Sequence, residues 1–340
     1  MAISTIGTNS LSDPIAVNGY TPTASNMQPF NRIINGAMTI DQRNAGAAVT
    51  PLTNTYVIDR WAVTMGQASK FTTQISSTAP TGFSNSLLCT TTTAATGSYF
   101  YTYQRIEGYN WADLGWGTAN AKTVTLSFWV RSSVTGSHDG FIRDSTQAVD
   151  STFSYSISSA NTWEYKSATI AGATTGTYPA TNGIGAALFI NIANEVAVSG
   201  ATFYITGVQL EAGSTASPFA HENYGDTLQK CQRYYFQKAV GGANQSLAAG
   251  NYYTATVMAA VITFPVTMRA LPAIYQTTGT NYYAFIRNGG ADGFNSVTID
   301  AVGQNQVTVY NNTEVSGTAG HGGNMILNNG AASLAFGAEL

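Results

Sequence analysis

Charge is what this 340-residue sequence has least of. Only 9% of its residues are Asp, Glu, Lys or Arg, against about 25% in an ordinary soluble domain, and threonine alone outnumbers those four types together. With 14 basic and 17 acidic side chains and a net charge of −3, no basic field exists to neutralise phosphates. That argues against a dedicated nucleic-acid partner and against attraction to an anionic membrane surface. Cysteine is nearly absent: Cys89 and Cys231 lack a CxxC partner and lie far apart, which predicts reduced packing residues rather than a disulfide framework. His138, His221 and His321 share no metal-ligand spacing, so neither metal nor cofactor is expected. No long apolar run is present. Val257 to Met268 is broken by Thr263, Pro265 and Thr267 and falls short of the roughly 20 residues of a membrane helix. Residues Met1 to Asn31 hold no Lys or Arg and no continuous apolar stretch, so no secretory signal or targeting helix is expected and the chain is expected to be made without export.

What the sequence does have is β-forming material. Apolar residues make up 44%, with 19 Tyr and 15 Phe, which excludes a disordered chain and gives enough length for more than one core. Val124, Leu126, Phe128 and Val130 alternate with Thr123, Thr125, Ser127 and Trp129, the period of a half-buried strand. Leu188, Ile190 and Ile192 repeat it, and Phe203 and Ile205 change phase to Val208 and Leu210 at Gly207, which predicts a bulge. Turn clusters such as Thr135–Gly136–Ser137 are spaced as in an antiparallel sandwich, and no βαβ alternation is seen. One stretch is helical in period: Tyr224, Leu228, Cys231 and Tyr235, with Asp226 four residues before Lys230, predict a helix over 226–237 stopped by Gly241–Gly242. The expected class is therefore all-β. An extended arm (1–29) precedes a β-sandwich (30–220), a connecting helix (221–238) and a second small β-domain (239–340). In the arm, Pro14, Pro22 and Pro29 disfavour helix. Ile3, Ile6, Leu11 and Ile15 give it apolar contacts for docking on a partner; a free terminus is the alternative.

Candidate binding residues follow from exposure arguments. Tyr99, Phe100, Tyr101, Tyr103, Tyr109, Trp111 and Trp116 form the richest aromatic stretch, and flat aromatics beside polar groups suit the C–H faces and hydroxyls of a sugar. The competing reading is that alternate aromatics fill the sandwich core. Trp111 and Trp116, with Tyr109, lie between Gly108 and Gly117, a loop setting that predicts exposure. In the second domain, Tyr252–Tyr253 and Tyr282–Tyr283 each predict one packed and one exposed ring. The Gly- and Asn-rich loops there offer Asn288, Asp292, Asn295 and His321 as recognition residues. Two carboxylate pairs, Glu107 with Asp113 and Asp292 with Asp300, are candidates for glycan cleavage, and with acids this sparse structural roles are favoured. A calcium site over Asp139 to Asp144 lacks the EF-hand pattern.

Several phrases in one order resemble a known family. "NRIINGAMTIDQRN" (Asn31 to Asn44), "DRW" (Asp59 to Trp61), "QRIEG" (Gln104 to Gly108), "VTLSFWVRSS" (Val124 to Ser133), "ITGVQLEAGSTASPF" (Ile205 to Phe219) and "LQKCQRYY" (Leu228 to Tyr235) together resemble phage tail-fibre and related virion structural proteins containing a jelly-roll domain similar to carbohydrate-binding modules. Their Asp and Arg residues in "DQR" and "DRW" are placed to pair with each other at the domain edge. The resemblance implies a virion location, with assembly in the host cytoplasm, and a role in attachment to host surface glycans. The expected protein is a non-enzymatic fibre or adhesin subunit, a homotrimer. Its arm would meet other virion proteins, and its C-terminal domain would face the host. A purely structural capsid-decoration or tail-collar protein is the alternative, with a glycan depolymerase behind it.

Overall fold

The computed structural model describes residues 31–340; the arm residues Ile3, Ile6, Leu11 and Ile15 lie outside them. The first unit contains β1 (Thr55–Ile58), β2 (Trp61–Met65), β3 (Phe71–Ser76), β4 (Ser86–Thr91), β5 (Phe100–Glu107), β6 (Val124–Ser132), β7 (Gly136–Asp144), β8 (Asp150–Ile157), β9 (Glu164–Ile170), β10 (Ile184–Asn191) and β11 (Thr202–Ala212). They form two antiparallel sheets, β1-β2-β5-β10-β7-β8 and β3-β4-β11-β6-β9, and the chain passes between sheets at most connections, the wrapping of a jelly roll. The alternation read in the sequence points Val124, Leu126, Phe128 and Val130 of β6 and Leu188 and Ile190 of β10 into a common core. Gly207 is the predicted bulge: the β11–β6 register shifts between Thr206 and Gln209. Its φ of 62° and a ring of Phe83 that would lie 2.6 Å from an added Cβ leave room only for glycine.

One end of this core holds a buried polar knot. A short helix, α1 (Ala193–Val196), carries Glu195 inward, where it meets His138 Nε2 at 2.8 Å and the Ser132 hydroxyl. Its partners come from both sheets, so the knot ties the sandwich together. Burial pushes the imidazole down, and its bond to Glu195 more than offsets this, raising the pKa of His138. Cys89 is buried and free, as is Cys231, and burial drives the Cys89 thiol up to about 12.

The connecting helix is shorter than the sequence predicts. α2 spans Tyr224–Gln232 and buries Thr227 and Cys231, while Tyr224 is exposed; Lys230 pairs with Glu222, not Asp226. Tyr235 already belongs to β12 (Tyr235–Val240), paired with Gly337. Two successive tyrosines, Tyr234 and Tyr235, are both buried, and neighbouring side chains on opposite sides of the backbone suit a strand, not one face of a helix.

The second unit continues with β13 (Gln245–Thr254), β14 (Val257–Thr263), β15 (Ala273–Gln276), β16 (Tyr283–Arg287), β17 (Gly290–Phe294), β18 (Thr298–Val302), β19 (Gln306–Asn311), β20 (Gly322–Leu327) and β21 (Ser333–Gly337). They form a three-stranded sheet, β12-β21-β15, and a seven-stranded sheet, β17-β16-β20-β13-β14-β19-β18, over a core that includes Tyr252, Tyr283, Phe285 and Phe336. The expected split holds at Tyr252–Tyr253, buried and 77% exposed respectively, but not at Tyr282–Tyr283, where Tyr283 is buried and Tyr282 is half-buried against the same core. Among the described residues no helix is long and apolar enough to cross a membrane.

The two units meet through charge. Glu339, just past β21, receives Arg43 at 2.6 Å and also Arg60. These are the arginines of the "DQR" and "DRW" phrases. They do not pair with their own aspartates: Asp41 caps the amides of Asn44 and Gly46, and Asp59 accepts from the Gln42 amide and side chain. Arg60 lies 3.6 Å from the Tyr234 ring centroid and Arg43 3.7 Å from that of Tyr235, so each guanidinium has an aromatic face as well as a carboxylate. Nearby, Glu107 accepts Arg233 at 2.6 Å and the Tyr234 hydroxyl at 2.6 Å. Arg269 donates to Asn182, Ala338 and Glu339 carbonyls. Asp59, fully buried, is pushed up to about 6 chiefly by burial, against the pull of Arg43 and Gln42.

Two outcomes follow. Glu339→Ala leaves Arg60, 1% exposed, without its anion in a dry site, and removal of one partner of a buried pair costs about 3–5 kcal/mol; urea unfolding should register a loss of this size, and an unchanged midpoint would remove the junction from the account. The second outcome concerns pH. His138 has a raised folded pKa, so its stabilisation is complete below its unfolded value and is lost as pH rises through the folded one. Asp59 has the same sign but is spent by about pH 6. The melting temperature should therefore fall as pH is raised above the ordinary imidazole value of about 6.5, and His138→Gln should flatten that slope; a flat wild-type profile would contradict it.

Candidate functional site

The aromatic stretch that the sequence singled out divides between inside and outside. Phe100 points into the core, while Tyr99, Tyr101 and Tyr103, of the opposite parity, stand on the outer face of the six-stranded sheet. Cross-strand register then assembles three rows. Phe189 of β10 lies opposite Tyr103 of β5 on one side and Phe141 of β7 on the other. Ala187 lies likewise between Arg105 and Arg143, and Arg143 is opposite Asp150 of β8. In the third row Tyr101 is opposite Asn191, which donates to Asp139 at 2.7 Å.

Side-chain size makes a basin of these rows. The small Ala187 between two arginines leaves a hollow of about 410 Å³, lined also by Tyr101, Phe189, Asn54 and Gln147, within the range of small-ligand sites. The rings along its floor are stacked: Tyr103 on Phe189 at 4.9 Å and Phe189 on Phe141 at 4.7 Å. That is the spacing of neighbouring strands, so the stack runs across the sheet and turns ring edges outward. Tyr101 stands edge-to-face against Phe141 at 5.2 Å, and Tyr99, half exposed, stacks on Tyr101 at 6.2 Å. The tyrosine rim thus offers aromatic surface in a second orientation. At the basin floor the Tyr103 hydroxyl is buried and has no hydrogen-bond partner among the described residues. On the side toward the second unit, Arg105 Nη1 donates to the Leu340 carbonyl.

The tryptophans that the loop setting predicted to be exposed are core residues, 1% and 4% exposed for Trp111 and Trp116. They pack edge-to-face at 5.0 Å, and Trp116 Nε1 donates to the Lys122 carbonyl at 2.8 Å. The glycines read as a sign of an open loop do the opposite here. Gly185 and Gly108 approach so closely that a Cβ on Gly185 would lie 2.6 Å from Gly108 Cα, and this lets two 3₁₀ turns, Gly108–Asn110 and Ala112–Leu114, fold down over the sheet end. Tyr109 is exposed and lines a separate recess of about 310 Å³ with Glu107 and Arg233.

In the second unit the four loop candidates are not brought together. Asn288 is exposed in the β16–β17 turn, and Asn295 follows the far end of β17, roughly 20 Å away at about 3.3 Å per residue. Asn295 accepts the Asn281 amide. Asp292 is held by the Tyr252 hydroxyl, the Ser316 amide and Arg287. His321 is exposed, and its carbonyl takes the Tyr252 amide. Of the candidate carboxylates, Glu107, Asp113 and Asp292 are likewise engaged elsewhere, and Asp300 is exposed. Glu107 is bound by Arg233 and Tyr234, which outweigh burial and lower its pKa; Asp113 takes Arg32 at 2.7 and 2.8 Å. Near Asp139 to Asp144, Asp144 already accepts Thr146, Ala148, Val149 and Thr177, and among the described residues no three His, Cys, Asp or Glu side chains cluster as metal ligands.

Comparison with known proteins adds little at the level of sequence: no family model matches, and no curated protein does. Among solved structures, the enzymatically active domain of bacteriophage CBA120 tailspike protein 4 is similar over 54% of this chain and 21% of its own, at 15% identity and a TM-score of 0.37. TmCBM61 in complex with β-1,4-galactotriose is similar over 54% of this chain and 99% of its own, at 10% identity and 0.32. A family 11 carbohydrate-binding module from Clostridium thermocellum, in complex with a mixed-linked tetrasaccharide, is similar over 49% and 96%, at 16% identity and 0.30. At TM-scores this low the likenesses carry no weight for function, which rests on the basin itself.

Proposed function

We propose that the protein is a non-enzymatic carbohydrate-binding subunit of a phage fibre, whose glycan site is the basin on the outer face of the six-stranded sheet. The observation that carries the reading is a hollow on the outer sheet face with an aromatic floor, where Tyr103 and Phe141 are buried, and an aromatic rim, where Tyr99 and Tyr101 reach solvent, fringed by the uncharged polar groups of Asn54, Thr64 and Gln147. Sugars bind through apolar C–H faces and hydroxyls, and this combination supplies partners for both. Attachment to host surface glycans from the virion, with the N-terminal arm on other virion proteins, follows the sequence resemblance. The basin lies in the jelly roll, so the recognition role moves there from the C-terminal loops.

Binding to purified host envelope glycans tests the reading. Tyr101→Ala removes rim surface from a partly exposed ring, and should lower affinity by about tenfold while leaving stability within about 1 kcal/mol; binding equal to wild type would reject the basin, and release of reducing sugar ends would make the protein an enzyme. Assembly is the second test. A C-terminal domain with only six Asp, Glu, Lys or Arg residues after Ala239 presents a surface that favours association, and three copies convert weak single-site contacts into avid attachment. Light scattering should give the mass of three 35.8 kDa chains; a stable monomer at micromolar concentration would contradict it.

A further inference from the structure

We infer that the basin takes an uncharged glycan and discriminates against acidic ones; this rests on the glycan-binding reading of the same basin. Two arginines beside Ala187 at first suggest the reverse. The charge of Arg143 is already used, and Arg105 is held aside by a backbone carbonyl. Arg143 holds Asp150 through Nε and Nη2, both at 2.7 Å, in the bidentate geometry that a ligand carboxylate would need. Its guanidinium also lies over Phe141 at 4.6 Å and Phe189 at 5.4 Å, so it serves as a wall of the hollow. Arg105 is drawn toward the second unit by Leu340.

The anions are fixed in place as firmly. Asp144 lines the hollow, 2% exposed. Burial alone would raise its pKa, but the Thr146 hydroxyl and the amides of Thr177, Val149 and Ala148 hold it far below the usual carboxylate range, so it stays charged. Asp139 is on the neighbouring row, bound by Asn191. Around the basin, Arg105 and Arg143 therefore face Asp139, Asp144 and Asp150. At Arg143 a uronate would have to displace Asp150 and stand near Asp144, and the three aspartates outnumber the two arginines around it, whereas a neutral hexose needs only the hydroxyl and amide groups of the rim.

Titration calorimetry on the full chain decides this, with cellotriose, maltotriose and galactotriose set against trigalacturonate and trimannuronate. At least one neutral trisaccharide should bind, with affinity unchanged between about 50 and 500 mM salt, and both uronates should be at least about tenfold weaker. Asp150→Asn frees Arg143 and should raise uronate affinity relative to neutral sugar. Uronate binding as tight as neutral binding, weakening with salt, or no relative gain in Asp150→Asn, overturns the inference while the glycan reading survives. If none of the five sugars binds, the glycan reading falls and takes the inference with it.

Discussion

Glu339 is the anion that two buried guanidiniums share, and the relation between the two β units depends on it. Arg60 is 1% exposed, Arg43 13% and Glu339 9%. Charges this deep are tolerated only when paired and hydrogen-bonded. In a chain where fewer than one residue in ten is charged, few other anions are available to do it. Arg233 with Glu107 and Arg269 with the carbonyls beside Glu339 extend the same junction. The basin is joined to it directly: β5 carries Tyr101, Tyr103 and Arg105 along one face, and Arg105 reaches the Leu340 carbonyl. The proposed glycan basin and the interdomain contact are therefore two ends of one strand face.

The basin itself is a consequence of strand spacing. Rings on neighbouring strands in direct register stack at the interstrand distance, as Tyr103, Phe189 and Phe141 do, and such a stack fills the sheet face without leaving a flat aromatic platform. What makes a hollow is the next row, where alanine replaces an aromatic between two arginines. What gives it a second aromatic orientation is Tyr101, turned across the stack.

Much of the fold was legible in the sequence because period-2 patterning and a phase change at one glycine are local signals. β6, β10 and the Gly207 bulge appear where Val124–Val130, Leu188–Ile190 and Gly207 predicted them. The helix end was not, because Tyr235 reads as the last residue of a helical stripe until tertiary pairing with β21 claims it for a strand. The site was legible only in part. The stretch from Tyr99 to Tyr103 was singled out, but Phe141, Phe189, Ala187 and Arg143 come from strands 40 to 90 residues distant, and only register brings them alongside. The Trp111 and Trp116 reading failed on a physical ambiguity: glycine marks open loops and close packing alike, and sequence does not say which. Likewise Arg43 and Arg60 each had an aspartate at hand in sequence, and the partner they take is 296 and 279 residues away.

The most direct test of the account is the position of a bound sugar. A crystal structure of the protein with a neutral oligosaccharide of the host surface should place a sugar ring over Ala187, between Arg105 and Arg143 and against Tyr101. Sugar seated instead on the β16–β17 turn at Asn288, with the basin empty, would contradict the account and return recognition to the C-terminal domain.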